Sequence, residues 1–349
     1  NVYRRLVDFR RKLNKKLIAL QGNPGAALYG ESQMGKSYLV SGLLSNDGKP
    51  FTIVDSNGNR FDFIDKINPM GKGAESTSLV TRFSTDYEVK NPDYPIKAKM
   101  LSSADLLLVL CDSYYNDVKV KIDVAFKTAD INTQVMEICS RYEDKTEQQS
   151  LLGEDEMVDI YEYFISHFST KAANIIHSDY FQKLPPVISK VPIQEWIGIF
   201  SLLWNNNQQI SNLFNALLDK YSQLVFAQEI YLPIDAVLRD RGTILDVMRL
   251  RELYGVYSGT EPNYQSKTSL MLIIDGKEKI LSDYPKSYLC TLIAELIFRL
   301  PKDLEAGKPF LENTDLLDFP GARHRLGILE EDINESTLPQ MVLRGKVAY

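Results

Sequence analysis

The chain has 349 residues, 44% hydrophobic and 25% charged, an ordinary globular composition long enough for two or more packed units. Its formal charge of -6 gives no general attraction to nucleic acid, so no nucleic-acid partner is expected. Cys111, Cys139 and Cys290 are odd in number and far apart, and the histidines lack HExxH or CxxC companions. That pattern argues for a reducing compartment and against a disulfide framework or a zinc site.

The first stretch, VYRRLVDFRRKLNKKLIAL, sets Leu6, Phe9, Leu13, Leu17 and Leu20 at helical spacing among basic residues, which predicts an amphipathic helix. Such a helix packs on a neighbouring domain, binds a protein partner or lies on a membrane surface, and nothing else in the sequence supports a membrane. No apolar run is long enough to span one. The start at Asn1 and the closing LRGKVAY read as the ends of a cut piece, so the active unit is expected to be larger.

Residues 25–29 form a short apolar strand, GESQMGKS a loop, and SYLVSGLLS a helix ending near Asn46. FTIVDS, FDFIDKI, TRFSTDYEV and PIKAKML read as strands. Ser102 and Asp105 fit a capping box ahead of ADLLLVLCDSYY, which is apolar nearly all round and predicts a buried helix. From 113 to 259 the patterns are helical, as in IQEWIGIFSLLWNN, and predict an all-α unit. SLMLIIDGKEKILSDY then predicts a hairpin turning at Asp275-Gly276, YLCTLIAELIFRL a helix stopped by Pro301, and TDLLDFPGARHR a strand running into a turn.

Gly30-Glu31-Ser32-Gln33-Met34-Gly35-Lys36-Ser37 satisfies GxxxxGK[ST], with the strand before and the helix after that the pattern requires. Its glycines let backbone N–H groups turn toward a phosphate, and the following helix adds the positive end of its dipole. Lys36 is expected to reach the β and γ phosphates and the Ser37 hydroxyl to take a Mg²⁺ position. Two aspartates compete for the metal's outer shell. TDLLDFPG offers Asp318 with Gly321 in a DxxG arrangement, whereas LLLVLCD ends at Asp112 but begins with a helix cap. Asp318 is therefore chosen, and Asp315 is read as a polar residue on the exposed side of an edge strand.

Over GESQMGKSYLVSGLL, INPMGKGAESTSLVTRF, LSSADLLLVLCDSYYND and DLLDFPGARHRL with LRGKVAY, the chain resembles the dynamin-type large GTPases and, more closely, the SrfC-type bacterial virulence factors. The resemblance implies GTP as the nucleotide, hydrolysis to GDP and phosphate, and rearrangement of a helical domain. It also implies a homodimer through the GTPase domain, and it puts Thr81 of SLVTRF in the switch position beside Mg²⁺, with Thr77 and Ser78 as fallback hydroxyls. Arg323, two residues after Gly321, is the nearest candidate for stabilising transition-state charge. The loop departs from dynamins in having Ser32 then Gln33, and no [NT]KxD motif follows DFPG.

The expected fold is thus an α/β P-loop NTPase domain of GTPase type interrupted by a large all-α insertion. Its parts are residues 1–112, the insertion 113–259, and 260–349 as the second part of the GTPase domain. A protein partner on the insertion and a bacterial cytoplasmic location are expected, with secretion as an effector left open. A scaffold with negligible hydrolysis and an ATP-driven machine are the alternative functions.

Overall fold

The computed structural model describes residues 2–20, 22–30, 35–46, 48–68, 77–119, 126–301, 304–321 and 328–348. Its strands are β1 (Gly25–Leu28), β2 (Thr52–Val54), β3 (Arg60–Asp62), β4 (Val80–Ser84), β5 (Ile96–Met100), β6 (Glu229–Leu232), β7 (Lys267–Ile274), β8 (Lys277–Pro285), β9 (Ile293–Arg299) and β10 (Asp315–Asp318). The longer helices before β6 are α1 (Val2–Ala19), α2 (Lys36–Leu44), α3 (Ser103–Asp112), α4 (Thr128–Tyr142) and α5 (Glu154–Phe168). The short α6 (Ala173–Ile176), α7 (Tyr180–Lys183) and α8 (Trp196–Phe200) lead to α9 (Gln208–Gln223). Then come α10 (Tyr254–Ser258), α11 (Lys286–Leu292), α12 (Leu304–Gly307) and α13 (Leu338–Ala348).

Among the described residues, eight strands form one sheet in the order β1-β10-β4-β9-β5-β6-β7-β8, and β2 pairs with β3 in a second. Only β1 with β10 and β4 with β9 run parallel; the other neighbours in the large sheet are antiparallel. This overturns the expected fold. The stretch 113–259 is not an all-α insertion, because β6 lies inside it and bridges β5 to β7 within the sheet. Phe164, Trp204 and Leu217 from that stretch also share one buried cluster with Phe83 and Leu296 of the sheet. The sheet is a large mixed one, closed by strands drawn from the whole length of the chain. A four-residue segment such as EIYL is too short to carry a periodicity that separates strand from helix, so the sequence pattern passed over it.

Two other elements differ for similar reasons. The apolar run from 288 to 300 is a short helix, α11, and then β9, whose neighbours are β4 and β5. A strand with neighbours on both sides buries most positions and loses alternation. FDFIDKI is a strand only as far as Asp62. There the Asp62 carboxylate accepts the Asp65 N–H at 2.8 Å and starts a π-helical turn over Phe63–Ile67.

α3 forms as the capping box requires, with Ser102 Oγ accepting from Asp105 N–H at 3.1 Å and the Asp105 carboxylate accepting from Ser102 N–H at 2.8 Å. It is buried along nearly its whole length, and α13 packs across it. Three consecutive residues hold α13 there. Arg344 donates to Asp117 at 3.0 Å, and the buried Lys346 ammonium donates to the carbonyls of Cys290 and Ile293. At Gly345 the backbones come close enough that a Cβ would stand 2.3 Å from the Val109 carbonyl oxygen and 2.7 Å from Ser113 Oγ. Helix backbone cannot shift as a side-chain tip can. Gly345→Ala is expected to lower unfolding free energy by about 1–3 kcal/mol, the usual cost of overpacking, read from a denaturant midpoint. An unchanged midpoint would mean that α13 is free to slide.

Burial pushes the Lys346 ammonium down to about 7 and that of Lys286 down to about 8. Above those values the unfolded chain, with ordinary lysines, binds more protons than the folded one, so stability rises with pH. Between pH 7 and 8.5 the contribution of Lys346 is expected to approach about 1.4 kcal/mol per pH unit. Lys346→Met should flatten the rise, measured as unfolding free energy against pH; an unaltered slope would rule out a charge change at this lysine.

Candidate functional site

β1 ends at Leu28, the glycine loop follows, and α2 begins at Lys36. Gly35 caps α2 in the left-handed region at φ 78°, where a side chain would be strained, and a Cβ there would meet no neighbour. The first intrahelical bond runs from Leu39 N–H to Gly35 C=O at 2.9 Å, so the amides before it point out of the helix start. The Lys36 ammonium donates to the Gly30 carbonyl at 3.1 Å. Glu31, Ser32, Gln33 and Met34 lie outside the described residues, as does Arg323.

β10 runs parallel to β1 on one side and antiparallel to β4 on the other, which brings Asp318 level with Leu28 and with Thr81. The Ser37 hydroxyl donates to Asp318 Oδ2 at 2.5 Å, across 281 residues of sequence. That is the length of a charge-assisted O–H···O⁻ bond. Thr81 and Asp318 face each other across the strand pair and are 1% and 2% exposed. Among the described residues no hydrogen-bond partner reaches Thr81 Oγ1. Gly321 follows three residues after Asp318 and is buried.

The other sequence-derived candidates sit elsewhere. Asp112 is buried at the end of α3, where its Oδ1 accepts from Asn116 at 2.8 Å and from the Tyr163 hydroxyl at 3.4 Å. Ser78 donates its hydroxyl to the carbonyls of Ile244 and Leu245, and the Thr77 backbone forms a β-bridge with Asp246, so both fallback residues are tied to 244–246. Thr81 stands within β4, paired to β10 and to β9, and is not in a loop.

Sequence reasoning missed Arg82. On the sheet face opposite Thr81 its guanidinium donates to both oxygens of Glu295, at 2.6 and 3.2 Å, and to Asp315 at 3.0 Å. Burial works against the Arg82 charge, but Glu295 and then Asp315 outweigh it and hold the guanidinium above its ordinary value. Asp315 is therefore buried and ion-paired in an interior strand, not exposed on an edge. The available signal was an arginine set inside an apolar strand with two acidic residues in other strands. Arg82 joins β4, β9 and β10, and so fixes the strand that carries Asp318.

The fold and site together define an α/β protein with a large mixed sheet, in which a serine on a helix start meets a buried aspartate at a strand end. The model of the family described as "Putative bacterial virulence factor" matches residues 3–349, and the chain belongs to that family. No curated protein matches it. Among the described residues no helix is long and apolar enough to cross a membrane.

Removing the Arg82 cation would leave Glu295 and Asp315 facing each other with little water. Arg82→Ala is expected to cost about 2 kcal/mol or more of unfolding free energy, less than a fully buried pair because the groups keep some solvent contact. Arg82→Lys should recover part of this, since a point charge cannot bond both Glu295 oxygens at once. Equal midpoints for wild type and Arg82→Ala in a denaturant titration would refute the role.

Proposed function

We propose that this chain binds a nucleoside triphosphate with Mg²⁺ and hydrolyses it to the diphosphate and phosphate. GTP is the nucleotide that the resemblance to dynamin-type GTPases and SrfC-type virulence factors suggests. The observation that carries the reading is the Ser37–Asp318 hydrogen bond at the start of α2, directly after a glycine loop that matches GxxxxGK[ST].

The donor set fits Mg²⁺. One carboxylate, Asp318, and two hydroxyls, Ser37 and Thr81, come together, and among the described residues no cluster of three or more His, Cys, Asp or Glu is built to hold a cation alone. Mg²⁺ commonly takes one or two carboxylates and completes its shell with phosphate oxygens and water. When bound, it would offset charge on the phosphates. In this reading Ser37 would hold the metal directly and Asp318 through its outer shell, with Thr81 beside them, and the Lys36 ammonium, set on the Gly30 carbonyl, would bind the phosphates. The Gly321 amide would donate to the γ phosphate, and Arg323 would offset charge developing on it.

Nucleotide state has a path to the helices. The lead-in to β4 is tied to residues 244–246 through Thr77 and Ser78, and the 3-10 helix Val247–Leu253 that follows packs on α11 and α13. A second reading, a nucleotide-stabilised scaffold with negligible turnover, draws on Thr81 being held in a strand between two others and not in a movable loop.

A triphosphate with Mg²⁺ at about 100 times its dissociation constant is expected to add about 2.7 kcal/mol to folded stability, seen as a rise in Tm. Lys36→Ala should abolish that rise, and Asp318→Asn should remove its dependence on Mg²⁺. No rise with any triphosphate, or an undiminished rise in Lys36→Ala, would overturn the assignment. Phosphate release measured on the same samples separates the enzyme from the scaffold.

A further inference from the structure

At the end of the sheet opposite Ser37 and Asp318 lies a cavity of about 590 Å³, within the range of binding pockets. Its position follows from the register: Ser84 is level with Arg299, whereas Thr81 is level with Asp318. One wall is residues 52–56, five in succession. A strand turned face-on would contribute alternate residues, so this wall is the edge of β2.

β2 pairs with β3 alone. Phe51 accepts from Phe63 N–H at 3.0 Å and Asp55 donates to Asn59 at 3.1 Å, so residues 51, 53 and 55 turn their backbone groups toward β3. By alternation the N–H and C=O groups of Thr52 and Val54 point the other way, and among the described residues no hydrogen bond is made to them. The edge sequence Thr-Ile-Val carries no lysine or proline of the kind that normally blocks strand pairing.

The rest of the lining is apolar, including Val89, Pro92, Pro95 and Phe298, with one cation, Arg299. Arg299 is exposed and, among the described residues, its guanidinium makes no hydrogen bond or ion pair, while its charge acts on the Tyr87 hydroxyl. The Asp55 carboxylate is already occupied by the N–H groups of Asn57 and Asn59 and by the Asn59 side chain.

From these three features we infer that the groove binds an extended peptide segment with apolar side chains at alternate positions and a carboxylate at one end. The segment adds as a strand to the outer edge of β2, donating to and accepting from Thr52 and Val54. Its apolar side chains lie against Pro92, Pro95 and Phe298, and its carboxylate meets Arg299. Backbone pairing supplies the affinity and the charge sets the direction of the chain.

The test is selection from a phage library of random peptides about seven residues long, the length of a strand, on the whole chain. Enriched peptides are expected to alternate apolar residues and to carry an acidic residue or a free carboxyl terminus. Val54→Pro deletes an outward N–H without touching the β3 ladder and should weaken the selected peptide about tenfold, as should Arg299→Gln. N-methylation of alternate residues in the peptide makes the same deletion from the other side and does not depend on how a variant folds. Absence of enrichment overturns the inference. So does a selected peptide whose affinity is indifferent to both N-methylation and Arg299→Gln.

Discussion

Everything that converges on Ser37 depends on the seating of four residues, Asp315–Asp318, between β1 and β4. β1 and β4 come from the first quarter of the chain and β10 from its last tenth. The strand must cross the sequence distance at an entropic cost before any of its contacts form. It is held from both faces. On one, Arg82 ties Asp315 to Glu295; on the other, Leu316 enters the core and Asp318 accepts from Ser37. Because side chains alternate, a slip of one residue would exchange the faces, putting Asp315 and Leu317 where Leu316 and Asp318 belong. The ion pair on one face therefore sets the register that aims the carboxylate on the other.

The same closure explains why the helical stretch is not a detachable unit. α1 lies on α5 through its basic face, with Arg10 paired to Asp155 and Arg11 and Lys15 to Asp159. α9 runs beside α11, and the Tyr221 hydroxyl donates to the Leu101 carbonyl at 2.8 Å just before α3. β6 then carries the chain back through the sheet. Helices connected in this way are one side of the sheet's packing, and the cluster that contains Trp204 and Phe214 is continuous with Phe83 and Phe298.

Local chemistry was legible in the sequence where it is strong and self-contained. The Ser102–Asp105 capping box, the Asp275-Gly276 turn and the apolar strand ending at Asp318 each depend on residues within a few positions of one another. What could not be read was set at long range. β6 and β9 have both faces or both edges covered, so alternation disappears and an apolar run remains. Arg82 needs two carboxylates from strands far away in sequence before it reads as anything but an anomaly in an apolar strand. Thr81 illustrates the limit of a motif: the resemblance puts it in a switch position, whereas the strand reading of TRFSTDYEV and the pairing to β9 and β10 fix it within the sheet.

The edge position of β1 places one more constraint on the candidate site. Gly25, Ala26 and Ala27 are exposed, and within the described residues β10 is the only strand that β1 pairs with. Gly25 lies against Leu317, whose Cδ1 would be 2.1 Å from a Cβ there, so a side chain at this position would displace the Leu317 side chain. The loop is thus anchored at one end by a thin strand on one neighbour, and at the other by α2 through Ser37 and Asp318. A ligand held between α2 and β10 would bind only when both anchors are in place. On the proposed reading its affinity and the seating of β10 would be linked quantities: whatever loosens Arg82 from Asp315 would weaken binding without touching the ligand, because part of the binding energy would go to restoring the register.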